Sequence, residues 1–128
     1  MPGGSKYEGP PEKLAQYTAV IEQSESRAEV KGAKNPYTAR NGHMFSFLDS
    51  DGTMALRLSS ELTEEFRTGY DSSDVIQYGA TIRGYSSVPA ELLADTDELA
   101  GWFDKAWIWI GSLPPKPTKK KYRTRRGA

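Results

Sequence analysis

The chain has 128 residues, no cysteine and a formal net charge of zero. That length fits one domain able to bury a modest core unaided, and the lack of cysteine excludes disulfide frameworks, thiolate metal sites and thiol nucleophiles. The zero hides an asymmetry: Lys116, Lys119, Lys120, Lys121, Arg123, Arg125 and Arg126 all follow residue 115 and no acid does, so the preceding body carries about −7. No run approaches the ~18 apolar residues that span a bilayer. The opening "MPGGSKYEGPPEK" lacks the apolar core of a secretion signal. A cytoplasmic protein without membrane contact is the expectation.

Three segments are expected: a Gly-rich, disordered start (1–9), a folded domain (10–113) and a basic, disordered tail (114–128). Pro10 and Pro11 open the first predicted helix, because proline's missing N–H has no intrahelical partner there. Leu14, Tyr17 and Ile21 form its core stripe, with Thr18 beside them. Gly32 and Asn35-Pro36 stop a helix from continuing, so "VKGAKNPYTARNG" reads as extended or looped.

"GHMFSFLDSDGTMALRL" predicts a β-hairpin with Asp51-Gly52 as a type I′ turn. Ser50 then faces Thr53, Phe47 faces Leu56 and Phe45 faces Leu58, which puts all four apolar residues on one surface. Ser46, Arg57 and Met44 fall on the other. A three-residue loop would set Ser46 opposite Leu56 and mix the surfaces, so hydrophobic sorting favours the first register.

Ser59 or Ser60 is expected to cap a second helix with Glu61, Glu64 and Glu65 near its positive end. Leu62 and Phe66 face its core and Gly69 ends it. "DVIQYGATIRGYSSVP" predicts two short strands split near Gly79, with Ile82 and Gly84 on one face and Thr81, Arg83 and Tyr85 on the other. Pro89 opens a helical turn. Asp95 or Thr96 caps a last helix with the stripe Leu99, Phe103, Ala106 and Ile110. Trp102, Trp107 and Trp109 widen its apolar surface almost all round, which suits deep packing or a second subunit. The fold class expected is α+β: two layers, an antiparallel sheet of short hairpins with helices on one face, in the order α-ββ-α-ββ-α.

Chemical motifs are sparse. His43 is the sole imidazole, so a histidine-rich metal site is excluded and a strand-end role fits better. Asp49, Asp51 and Gly52 resemble part of a calcium loop, but glycine comes too early and Leu58 stands where glutamate would. Glu61, Glu64 and Glu65 are explained by the helix dipole. There is no GxSxG elbow, Walker loop or GxGxxG after a strand. Arg57 and Arg83 sit mid-strand and offer bidentate anion contacts, or pair across strands with Glu29 or Asp49. No catalytic residue, metal or cofactor is assigned.

The stretch "NGHMFSFLDSDGTMALRLS", followed by "EEF", "IRGYSSVP" and "ELLADTDELAGWFDKAW", resembles the N-terminal domain of the TfoX/Sxy family, bacterial regulators associated with competence. The likeness covers roughly residues 25 to 113. It implies an α+β sheet-and-helix domain and no known catalytic residues. The region "KGAKNPYTA" departs from the family's Gly-rich strand, and a basic tail stands where the family's full-length regulators carry a helical domain.

The functional expectation is a stand-alone, TfoX N-terminal-like interaction or regulatory module, not an enzyme. It would bind a protein partner or itself, as a homodimer, through a surface including Trp102, Trp107, Trp109, Arg57 and Arg83. The alternative is a nucleic-acid-associated protein that binds weakly through the Lys116–Arg126 tail, which would equally suit an acidic partner. A third reading, an enzyme or small-ligand binder using Arg57, Arg83 and nearby carboxylates, requires those groups to converge in a concave, solvent-lined pocket.

Overall fold

The computed structural model describes residues 6–77 and 79–115. The fold is α+β: a five-stranded antiparallel sheet with four helices. In chain order these are α1 (Pro11–Gln23), β1 (Tyr37–Arg40), β2 (His43–Leu48), β3 (Met54–Arg57), α2 (Ser60–Gly69), β4 (Asp74–Gln77), β5 (Ala80–Val88), α3 (Ala90–Leu93) and α4 (Thr96–Gly111). The sheet order is β1-β2-β3-β5-β4. Beyond the predicted hairpins it gains β1, cut from the segment read as extended or looped.

The helices start where the sequence says. Ser59 Oγ accepts from the Leu62 amide and Asp95 Oδ1 from the Glu98 amide, satisfying otherwise orphaned donors. Leu99, Phe103, Ala106 and Ile110 are all buried. One core gathers Tyr17, Val20 and Ile21 of α1, Phe66 of α2, Leu92 and Leu93 of α3 and the α4 stripe against Phe45, Leu48, Met54, Leu56 and Leu58. All of these helical residues pack on one face of the sheet.

The β2–β3 register is a correction. Ser46 pairs with Leu56, Phe47 with Ala55 and Leu48 with Met54, the three-residue-loop register that hydrophobic sorting disfavoured. Asp49 explains the outcome. Its Oδ1 accepts from the amides of Asp51 and Thr53, both at 2.9 Å, and its carbonyl accepts from Gly52. Gly52 takes φ +87°, the left-handed residue of a type I turn with a following bulge. The two-residue turn with both φ positive lies instead at Asn41 (φ 55°) and Gly42 (φ 82°), joining β1 to β2.

The strict alternation also breaks at bulges. The β1–β2 register shifts between Thr38 and Ala39 and leaves Phe45 without a β1 partner. Phe45 and Ser46 therefore both meet helices: the Phe45 ring lies 5.1 Å from that of Phe103, and Ser46 Oγ is 2.7 Å from Tyr17 Oη. Phe47 points away from the helices and joins Ala55, Val75 and Tyr85 in a separate apolar cluster. A second shift, between Asp74 and Val75, places Gly84 (φ +86°) at a bulge of β5. Ile82 and Tyr85, expected on opposite faces, consequently share one.

Tyr17, Ser46 and Thr38 form a buried hydroxyl chain, with Thr38 Oγ1 2.6 Å from Ser46 Oγ. Burial raises the Tyr17 pKa well above 10, against smaller opposing effects of the Ser46 and Thr38 hydroxyls. The unfolded chain then loses this proton near pH 10 while the folded chain keeps it. The Tyr17 contribution is thus complete below pH 10 and lost above it, at up to about 1.4 kcal/mol per pH unit. Denaturant titrations between neutral pH and pH 11 are expected to show this decline, and Tyr17→Phe to make it shallower, with the buried Tyr85 phenol contributing part of what remains.

Candidate functional site

Because Phe47 faces away from the helices, the sheet is apolar on both sides. The helix-free side carries Phe47, Ala55, Val75 and Tyr85, with Tyr37 and Ile82 packed against them. Among the described residues no helix contributes to this cluster. Two larger apolar side chains nearby stay open: Ile76 is 65% exposed and Met44 37%.

A groove of about 620 Å³ runs over this face. Its floor and walls include Tyr37, Met44, Phe47, Ile76 and Ile82, and its rim includes Lys34, Asn35, Asp49, Ser50 and Asp51. One wall is the 32–35 loop, closed by paired backbone hydrogen bonds between Lys31 and Tyr37 (2.8 and 2.9 Å). Gly32 sits there at φ +78°, and a Cβ would lie 2.6 Å from the Asn35 carbonyl oxygen, so the turn requires glycine. The Phe47 and Tyr85 rings lie 5.4 Å apart, and Tyr85 Oη donates to the Met44 carbonyl at 2.6 Å. Burial raises the Tyr85 pKa, opposed by the nearby Arg57 guanidinium. This phenol stays protonated at neutral pH and works as a strut under the groove.

The groove is chemically suited to an extended chain. Its floor removes apolar surface from water, worth roughly 25 cal/mol per Å². Its rim holds two carboxylates and one ammonium. Among the described residues the one ion pair is Arg67–Asp74, so Asp49 and Asp51 have no cationic partner there.

The other candidates lie elsewhere. His43 Nε2 is 2.8 Å from the Pro114 carbonyl, tying β2 to the chain leaving α4. No group of three or more metal-ligating side chains occurs among the described residues. Glu61, Glu64 and Glu65 are exposed on α2. Arg57 does not pair with Glu29 or Asp49; its guanidinium lies 5.4 Å from the Trp109 ring centroid. Arg83 is exposed, and neither arginine lines the groove, so they do not converge there.

The three tryptophans meet different partners inside the chain. Trp102 packs edge-on to Phe66 at 5.1 Å, and its Nε1 donates to Tyr70 Oη at 3.1 Å. Tyr70 in turn donates to Glu98. Trp107 lies 6.0 Å from Phe45 and beneath Arg40, whose Nη1 donates to the Trp107 carbonyl at 2.8 Å. The large apolar residue of α4 that stays open is Ile108, 68% exposed. Lys116, Lys119, Lys120, Lys121, Arg123, Arg125 and Arg126 lie outside the described residues, as does most of the N-terminal segment expected to be disordered.

Sequence reasoning missed the groove residues Met44, Phe47, Ile76 and Ile82. The signal was present in Phe47 once Asp49 is read as the turn's first residue. Together the geometry defines an α+β domain with a helix-covered face and an open, apolar, carboxylate-rimmed face. No protein-family model matches the chain, and neither the curated proteins nor the solved structures yield a significant match. No helix among the described residues is long and apolar enough to cross a membrane.

Proposed function

We propose that the protein is a non-enzymatic interaction module whose open sheet face receives an extended segment of a partner protein. The segment carries an apolar anchor flanked by cationic residues. The observation behind this reading is the groove itself: apolar floor, exposed Ile76 and Met44, and the rim carboxylates Asp49 and Asp51, which have no cationic partner among the described residues. Peptide recognition of this kind draws affinity from a few buried anchors and specificity from charge at the rim. The regulatory part of the reading rests on the resemblance to TfoX/Sxy N-terminal domains, and the cytoplasmic setting on the cysteine-free composition. A nucleic-acid role draws on the seven tail charges alone and is opposed by a body of about −7.

Panning a displayed random-peptide library on the full chain is expected to enrich aromatic segments flanked by lysine or arginine. Met44→Asp combined with Ile76→Asp is expected to weaken the best of them by roughly tenfold or more, since tenfold corresponds to about 1.4 kcal/mol and burying one aliphatic side chain supplies that much. Fluorescence polarisation reads the affinity, and circular dichroism checks that the fold is kept. No enrichment, or equal affinity in the double variant, contradicts the reading.

A further inference from the structure

We infer that a second copy of this chain docks face to face on the helix-free side of the sheet, with Lys34 of each copy meeting Asp49 and Asp51 of the other. The inference rests on the reading of this face as a binding surface and names one occupant of it.

The groove rim carries both signs of charge. Lys34 and the two carboxylates line the same groove. The one ion pair among the described residues is Arg67–Asp74, so neither Lys34 nor either carboxylate has a partner of opposite charge there. A cationic segment answers the two carboxylates and leaves Lys34 without an acid. A second copy answers all three, because a two-fold axis exchanges the places of base and acid.

The strand register makes that exchange possible. Tyr37 pairs with Phe47 of β2 and, on its other side, exchanges backbone hydrogen bonds with Lys31. The 32–35 loop therefore flanks the outer side of β1. The turn holding Asp49 and Asp51 leaves the same end of β2 toward β3. Lys34 and Asp51 thus stand at one end of the sheet, on opposite sides of β2. An axis lying between two apposed faces and running along β2 swaps the sides and keeps the end. It carries Lys34 of each copy over the carboxylates of the other.

The same operation covers the apolar surface. Phe47 and Met44 lie on β2 and line the groove, so each faces the β2 of the other copy. Met44 is 37% exposed and Ile76 65%, and both lose water in such a pairing. Five strands at about 4.8 Å and about six residues at 3.4 Å give a footprint of about 24 by 20 Å; two of these approach 1,000 Å², the threshold of a specific interface. The dimer is accordingly a reversible one. The α4 surface offers less. Trp102 is engaged by Phe66 and Tyr70, and Trp107 by Phe45 and Arg40, which leaves Ile108 as the exposed large aliphatic side chain of that helix.

Sedimentation velocity of the full chain, from micromolar to millimolar concentration, reads the association, and a charge exchange tests its geometry. Lys34→Glu and Asp51→Lys are each expected to raise the dissociation constant by about tenfold or more, since each sets like charges against one another across the axis. Mixed in equal amounts, the two variants are expected to recover most of the lost affinity, because each altered charge then meets its opposite. Asp51 is the site to change because the Asp49 carboxylate holds the turn. Met44→Asp combined with Ile76→Asp, which leaves the rim intact, is also expected to give monomers. Circular dichroism checks each fold.

A chain that stays monomeric throughout overturns the inference. So does association that neither charge variant weakens, or a mixture that recovers nothing. Association that strengthens with Lys34→Glu belongs to the tail charges, and association broken by Ile108→Asp but not by Lys34→Glu belongs to α4; either result overturns it too. Library peptides that bind a chain which never associates remove this inference alone. Failure of peptides to bind even the Lys34→Glu chain, whose rim is more acidic, removes the reading of the face as a peptide site.

Discussion

Phe103→Ala is expected to lower the free energy of unfolding by about 3–5 kcal/mol. Phe103 is fully buried in the helix-side core, and its ring lies 5.1 Å from that of Phe45. Truncation removes the transfer energy of the ring and leaves a hole that rigid neighbours on α4 and β2 only partly fill. Stabilities of such domains run about 5–15 kcal/mol, so the loss takes a large share of the total. Ile108→Ala on the same helix makes the control: at 68% exposure its effect is expected within about 0.5 kcal/mol. Urea unfolding followed by tryptophan fluorescence measures both. A Phe103→Ala loss under about 1 kcal/mol would mean that α4 does not pack on β2 as described.

Arg67→Ala is expected to cost about 2–4 kcal/mol, more than its exposed ion pair suggests. The guanidinium spans three elements: Nε donates to Ser86 Oγ at 2.9 Å, Nη2 to the Tyr85 carbonyl at 3.0 Å and Nη1 to Asp74 at 2.9 Å. Asp74 is 64% exposed, so that contact is worth at most about 1 kcal/mol. The larger part is the fork to β5. Its loss leaves the Ser86 hydroxyl, fully buried, without that donor. Asp74→Asn is therefore expected to cost under about 1 kcal/mol, while Arg67→Lys recovers little, because an ammonium lacks the fork. Because β4 and β5 carry Ile76 and Ile82, Arg67→Ala should also weaken groove binding. Equal losses for Arg67→Ala and Asp74→Asn in denaturant unfolding would assign the effect to the ion pair instead.

These outcomes bear on what the sequence made legible. The helices were readable because their determinants are local: Ser59 and Asp95 are short acceptors placed to cap, and Leu99, Phe103, Ala106 and Ile110 repeat at helical spacing. The strands were harder. Asn41-Gly42 and Asp51-Gly52 both satisfy the tight-turn pattern, and only Asn41-Gly42 takes it, because the Asp49 carboxylate captures two amides and holds a longer loop. The bulges beside Phe45 and at Gly84 then shift the alternation by one, which sends Phe47 to the open face and Ile82 to the side of Tyr85. Bulges are fixed by the packing of neighbouring strands and helices, so period-two counting along one strand does not reveal them. The groove depends on both events and on the 32–35 loop folding back over β1, which is why no single motif announced it.

The proposed function places binding on the helix-free face of the sheet. Titrating a library-selected peptide into the full chain and mapping methyl shifts tests it most directly. Shifts concentrated at Met44, Ile76 and Ile82, with Ile108 and Leu62 unmoved, are the expected result. Shifts centred on Ile108 and the α4 tryptophans, with the groove methyls silent, would contradict it.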